Sequence, residues 1–243
     1  MKKTAVVVML VATMGLSNVA FAGFGLPNIL GGKKDNTAST QQAANLDLSG
    51  LTTKQTRVIN MLRAAYNCTA TSNTLLLNAL GNNTGANAIM AAQNLLKEKP
   101  QDKAALKNLD KAVKENQPKA DTFKSIANGT ADQKATLKAA MEQASTYKWA
   151  SYACFGLAIN EAAGMIKEAG TDLHSVHDMN TINKLNGIIS TGKMASSLYN
   201  DTKKIYGAYD TNTSNIKQLL GVQEATADSA AVKEAVNNVT DGF

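Results

Sequence analysis

The sequence predicts an all-α fold: a single elongated antiparallel helical bundle preceded by a disordered polar tail. Three observations predict it. Beyond residue 50, apolar side chains recur at three- and four-residue intervals, as on one face of a helix. No series of alternating Val, Ile and Thr runs joined by hairpin turns is present. Only Pro100 and Pro118 fall after Gly50, while helix-favouring Ala, Leu, Lys and Gln abound.

The first element is an address. Lys2 and Lys3 form a basic start, residues 5–12 an apolar run, and Ala20 and Ala22 the small-residue positions of an A-x-A cleavage site. Residues 1–22 therefore read as a secretory signal peptide of bacterial type, cut after Ala22. Polar Ser17 and Asn18 end the run well short of the roughly 20 apolar residues of a membrane span. No cysteine stands near the cut, which argues against a lipoprotein. The expected location is the periplasm, with extracellular release as the alternative. Loss of Lys2 and Lys3 lowers the net charge from +6 to +4. The remaining lysines are scattered and aromatics sparse, so nucleic-acid binding is not expected.

Residues 23–50 form the polar tail, rich in Gly, Asn, Thr, Ser and Gln, with too little apolar surface to offset the entropy of ordering. Its first part carries Phe24, Leu26, Pro27, Ile29 and Leu30, an apolar patch able to meet the bundle, a partner or a lipid surface.

The bundle domain spans residues 51–243. Thr52 and Gln55 have capping-box spacing and mark a helix start. Polar residues 67–73 dilute the pattern before Leu75, Leu76, Leu77 and Leu80 resume it, and residues 81–85 stop it. A second helix covers about 86–97, a third about 104–116, and a short one ends near 127. Thr130 and Gln133 make another capping box. A helix from there to about Glu168 would reach roughly 55–60 Å. Gly170 reads as a break, followed by a helix over about 172–199. Residues 200–209 are ambiguous. Ile216, Leu219, Leu220 and Val222 suggest one more helix, and residues 225–239 a last one.

Residues 147–159 are the most apolar stretch after the leader, with Trp149, Tyr152, Cys154, Phe155, Leu157 and Ile159 on nearly every face. They place this segment mid-bundle. Trp149, Tyr152, Phe155 and Gly156 are the candidate lining of a pocket for a small apolar ligand, with Gly156 and Gly164 allowing close backbone approach or a kink. The plainer reading is core.

Cys68 and Cys154 are the only cysteines. An even count in an oxidising compartment favours a disulfide, worth up to about 4–5 kcal/mol in the chain-entropy model. Both follow a tyrosine by two residues, in Tyr66-Asn67-Cys68 and Tyr152-Ala153-Cys154, as if two helices present equivalent faces.

His174, His177 and Asp178 are the candidate metal ligands: on a helix they share a face, and imidazole with carboxylate suits zinc, copper or nickel. A third firm ligand and supporting groups are missing, so solvated residues near a helix start are the simpler reading. Ser190 and Lys193 match S-x-x-K, but the S-D-N and K-T-G companions of serine β-lactamases are absent. No Gly-rich phosphate loop, haem attachment motif or H-E-x-x-H is present, and no cofactor is expected. The sequence thus points to a non-enzymatic envelope protein that binds or scaffolds a partner. A periplasmic carrier of a small apolar ligand is the alternative, and metal binding a more distant one.

Overall fold

The computed structural model describes residues 48–240. The expected signal peptide, with Ala20 and Ala22, and the apolar patch at 24–30 lie outside the described residues, as does the expected tail up to residue 47. Among the described residues there are seven helices and no strand. They are α1 Ser49–Ala79, α2 Asn83–Glu98, α3 Lys103–Glu115, α4 Ala120–Ala127, α5 Ala131–Leu173, α6 Met179–Leu220 and α7 Ala230–Thr240. The all-α bundle is as the sequence predicts.

Three long helices make the frame. Along α1 and α5 the contacts Lys54 with Glu168, Thr69 with Ser151 and Ser72 with Ala144 run in opposite numerical order, so the two helices are antiparallel. Helix α6 reverses again. Its Gly192 lies against Ile166 and its Asp210 against Lys148, both on α5. Gln55 meets Gly187 and Thr191, which sets α1 parallel to α6. At 43 residues, α5 extends about 65 Å and is the longest element.

Small side chains let α1 approach α5. Ala65, Cys68, Thr69 and Ser72 of α1, and Ala144, Ala150, Ser151, Cys154 and Ala158 of α5, are all fully or almost fully buried. The polar members are satisfied across the seam. Thr69 donates to the Ala65 carbonyl 3.1 Å away. Its single proton is thereby used, so Ser151 is the donor in the 2.8 Å Thr69–Ser151 bond. Ser72 donates to the Ala144 carbonyl. Larger apolar groups fill the flanks, Val58, Leu62, Phe155 and Met165 among them, each contributing about 1.5–3 kcal/mol by burial. A second cluster closes one end with Leu76, Phe123, Leu137, Met141 and Ile216. Helix α7 covers the α1–α5 seam with Val232 and Ala235, a docking worth about 2–3 kcal/mol.

Several boundaries differ from expectation. Helix α1 starts at Ser49, so Thr52 is helical and no capping box forms; Gln55 instead donates to Gly187 and Thr191. The polar stretch 67–73 stays helical because Thr69, Ser72 and Asn73 hydrogen-bond inside the core. Gly170 does not end α5, which continues to Leu173. The following helix starts at Met179 and runs unbroken through 200–209 to Leu220, merging two expected segments. Gly221, at φ 63°, closes it in the left-handed conformation that glycine takes without strain. The last helix begins only at Ala230. The capping box at Thr130 and Gln133 forms as expected.

The close-approach glycine is Gly192, for which the sequence gives no cue. A Cβ there would stand 2.5 Å from Ile166 Cγ1. Gly156 and Gly164 face open space, with nothing within 4 Å of a would-be Cβ. Gly156→Ala should therefore stabilise the fold by about 0.5–1 kcal/mol through helix propensity alone. Gly192→Leu should cost about 1–3 kcal/mol by overpacking and be partly rescued by Ile166→Ala. Urea denaturation checks both; a destabilised Gly156→Ala or a neutral Gly192→Leu would contradict this packing.

Candidate functional site

Aromatic residues at the middle of the bundle form a connected set. Tyr66 of α1 meets Phe155 of α5 edge-on at 5.9 Å, and Phe155 meets Tyr199 of α6 at 5.7 Å. Tyr152 then touches Trp149, Tyr199 and Tyr206 with ring centroids 5.5 to 6.2 Å apart. The set grades from core to surface. Tyr66, Phe155 and Tyr206 are buried, whereas Trp149, Tyr152 and Tyr199 are partly buried at the border of the core. The exposed end carries positive charge: the Lys203 ammonium lies 5.6 Å from the Tyr199 ring. Lys203 and Lys204 are both exposed, with no ion pair among the described residues.

The buried end holds its protons firmly. The Tyr66 hydroxyl donates to Asp110, whose carboxylate also accepts from Lys114. Burial first, then the Asp110 carboxylate, pushes the Tyr66 phenol far above its ordinary range. Burial does the same to Tyr206, and it pushes Tyr152 up to about 12, aided by Asp210. None of these phenols is poised as a base near neutrality.

Trp149, Tyr152, Phe155 and Gly156 share α5 but do not line one cavity. Phe155 points into the core, Gly156 is exposed, and Trp149 and Tyr152 meet edge-on. A cleft between α1, α4 and α6, beside Ser72, Asn73, Phe123, Tyr206 and Tyr209, has a volume of about 30 Å³. That is room for water, against the roughly 300–1,000 Å³ of ordinary ligand pockets. The hydroxyls of Tyr206 and Tyr209 are buried there without a protein hydrogen bond of good geometry.

Cys68 and Cys154 meet across the seam as the notion of two matching helix faces implies, but as free thiols, so the expected disulfide is not formed in this structure. Both are 0 % exposed. The contact with Cys154 first, and burial second, pushes the Cys68 thiol well above its ordinary value.

His174, His177 and Asp178 do not share a helical face. They sit on the exposed connection between α5 and α6, where His174 ends one helix and Asp178 caps the next. The Asp178 carboxylate accepts from the Thr181 backbone and hydroxyl, which hold it below its usual range. Its acceptor capacity thus serves the helix start. No group of three or more His, Cys, Asp or Glu side chains suited to a metal ion occurs among the described residues. Ser190 and Lys193 are exposed on α6, outside any cleft described above.

One cluster lies outside the expectations from sequence. Lys217 lies 2.7 Å from both Asp210 and Glu224, and Lys148 lies 3.1 Å from Asp210 and 3.7 Å from Glu224. Lys217 also sits 4.6 Å from the Tyr209 ring. Two ammonium groups and two carboxylates balance, so the cluster offers no net charge to a ligand. It joins α5, α6 and the segment after Gly221: Asp210, Lys217 and Glu224 stand seven residues apart, and only Lys148 comes from far away in the sequence. The lysine side chains are only 10 % and 11 % exposed, so removal of a carboxylate leaves buried charge unmatched.

Comparison with protein-family models, curated proteins and solved structures finds no match. No helix among the described residues is long and apolar enough to cross a membrane.

Burial alone raises the Asp210 carboxyl, but Lys217 and Lys148 outweigh it and hold the group below its ordinary range. A depressed folded value adds stability above the unfolded pKa, and that stability is lost as pH falls through the folded one. Asp210→Asn should thus destabilise the fold at neutral pH by about 1 kcal/mol or less, since solvent screens this 44 % exposed side chain and Glu224 still pairs with both lysines. The gap to the parent should narrow in urea titrations as the pH falls below the ordinary carboxylate range. A gap constant over the whole range would contradict this electrostatic role.

Proposed function

We propose that this chain is a non-enzymatic binding protein of the bacterial cell envelope, exported to the periplasm, that holds a partner protein on the α5–α6 aromatic surface. The supporting observation is the partly buried set Trp149, Tyr152 and Tyr199, which reaches the surface with the Lys203 ammonium at its edge. Large rings already fixed by edge contacts lose little freedom on association, and Trp and Tyr dominate the energetics of protein interfaces. Unpaired Lys203 and Lys204 favour a partner whose facing surface is acidic. The leader-like start of the sequence supports export. In that oxidising setting Cys68 and Cys154, already in contact, would become the expected disulfide.

The carrier reading gains less support. An apolar cargo would need Trp149, Tyr152 and Phe155 to part, and the cleft between α1, α4 and α6 is water-sized. The exposed positions of His174 and His177 lend metal binding little.

A photoreactive amino acid placed at position 203 in intact cells should cross-link one envelope protein, and the purified chain should begin at Gly23. With that partner isolated, Tyr199→Ser and Lys203→Glu should each weaken binding about tenfold or more without loss of helical content. Capture only from probes on another face, or binding indifferent to both substitutions, would remove the proposal.

A further inference from the structure

We propose that the cleft between α1, α4 and α6 is a closed binding site for a neutral, single-ring aromatic molecule that carries a hydroxyl group. Phe123 is its plug, and α4 is the lid that carries the plug away. The inference goes beyond the protein-binding reading above and does not rest on it.

The cleft is lined by polar groups with unused hydrogen-bonding capacity. Tyr206 and Tyr209 border it, and their hydroxyls are buried without a hydrogen bond of good geometry. Tyr206 is only 2 % exposed. A buried hydroxyl left without a partner is costly, so a ligand that supplies one is favoured. Burial pushes both phenols far above their ordinary range, so each keeps its proton and both donates and accepts. Ser72 gives its proton to the Ala144 carbonyl, and Asn73 donates to the Thr69 carbonyl, which leaves an accepting oxygen on each. Every residue lining the cleft is uncharged, Gln117 and Asn212 included, so the lining suits a neutral molecule and not an ion.

Size explains the need for a lid. As seated, the cleft's volume of about 30 Å³ admits water. The fully buried Phe123 ring occupies the adjoining space, 5.9 Å from the Tyr209 ring between centroids. Its withdrawal adds the room of a phenyl ring, and a cavity of about 150 Å³ takes benzene. The ligand's ring then replaces that of Phe123 between Leu76 and Tyr209, and its hydroxyl faces the two tyrosines.

Helix α4 is built to move. At eight residues it is the shortest helix among the described residues, and far too short to hold itself in isolation. Its order therefore depends on packing, chiefly against α5 and α6. That packing is apolar: Phe123 and Ala127 are buried, with Ile126 beside them. Among the described residues no hydrogen bond or ion pair joins α4 to another helix. The Lys124–Asp121 pair and the bond from Asn128 to the Lys124 carbonyl are both local. The chain on either side is held, because Asn116 donates to the Ala112 carbonyl of α3 and the Thr130–Gln133 box caps α5. Residues 117–129 are thus a strap between two fixed points, and α4 swings out without unravelling α3 or α5.

Phenol is the probe, titrated calorimetrically into the mature chain. It should bind saturably, one per chain. Phe123→Ala, which removes the plug, should tighten binding about tenfold. Phe123→Leu keeps more of the packing and should tighten it by less, which serves if the alanine variant fails to fold. Tyr206→Phe and Tyr209→Phe retain the rings and remove the hydroxyls. Each should weaken phenol about fivefold and leave benzene binding unchanged. Amide hydrogen exchange in α4 should accelerate when phenol is added to the parent, while α5 and α6 keep their protection. Absence of saturable phenol binding in the parent and in both Phe123 variants would overturn the site. Binding indifferent to both tyrosine substitutions would place phenol elsewhere and overturn it as well. Saturable binding with exchange in α4 unchanged would overturn the lid.

Discussion

The structure depends on how closely α1 can approach α5. That approach exists because the facing positions are Ala, Ser, Thr and Cys rather than Leu or Phe. Small residues contribute little apolar area each, so the seam gains its strength from dispersion at close range and from hydroxyls paired across it. Thr69 and Ser151 satisfy each other in a place water does not reach. An unpaired hydroxyl there would cost about 1–3 kcal/mol. The seam therefore tolerates one register, since a shift of a single residue would strand these groups.

Everything else is arranged around that pair. Helix α6 docks beside it, with Gly192 admitting Ile166 and the tyrosines at 199 and 206 meeting Tyr152 edge-on. Helices α2 and α3 pack on α1, α4 packs on α5 and α6, and Lys114, paired with Asp110 on its own helix, ties α3 to α6 through Asp201. The large aromatic side chains, excluded from the tight seam, gather along its border and run out to the surface at Trp149 and Tyr199. One constraint thus produces both the thiol contact inside and the partly buried ring surface at the border. The proposed binding face and the expected disulfide pair follow from the same packing.

Much of the fold was legible in the sequence, because amphipathic helices announce themselves by apolar period and by caps such as Thr130 with Gln133. The failures have a common cause. Apolar periodicity counts Thr69, Ser72 and Asn73 as interruptions, whereas paired hydroxyls and amides make them core. Gly170 costs a helix about 1 kcal/mol, and neighbours such as buried Met165 and Ala169 outweigh that. Trp149, Tyr152 and Phe155 were legible as a group, but their split between surface and interior depends on where α6 lies. The close approach at Gly192 and the joining of Lys148 to the Asp210–Lys217–Glu224 series are products of tertiary contact, and no local spacing encodes them. The histidine reading assumed one helix from 172 onward, whereas α5 ends at Leu173 and α6 starts at Met179, which puts His174, His177 and Asp178 on the connection.

The α1–α5 seam is a specific, hydroxyl-paired contact. A double-mutant cycle tests it directly, with Thr69→Val, Ser151→Ala and the combined variant compared by urea denaturation. Non-additive losses are expected, with a coupling of about 0.5–3 kcal/mol between the two positions. Strictly additive losses would show that Thr69 and Ser151 do not meet, and would contradict the register on which the thiol pair and the aromatic surface both rest.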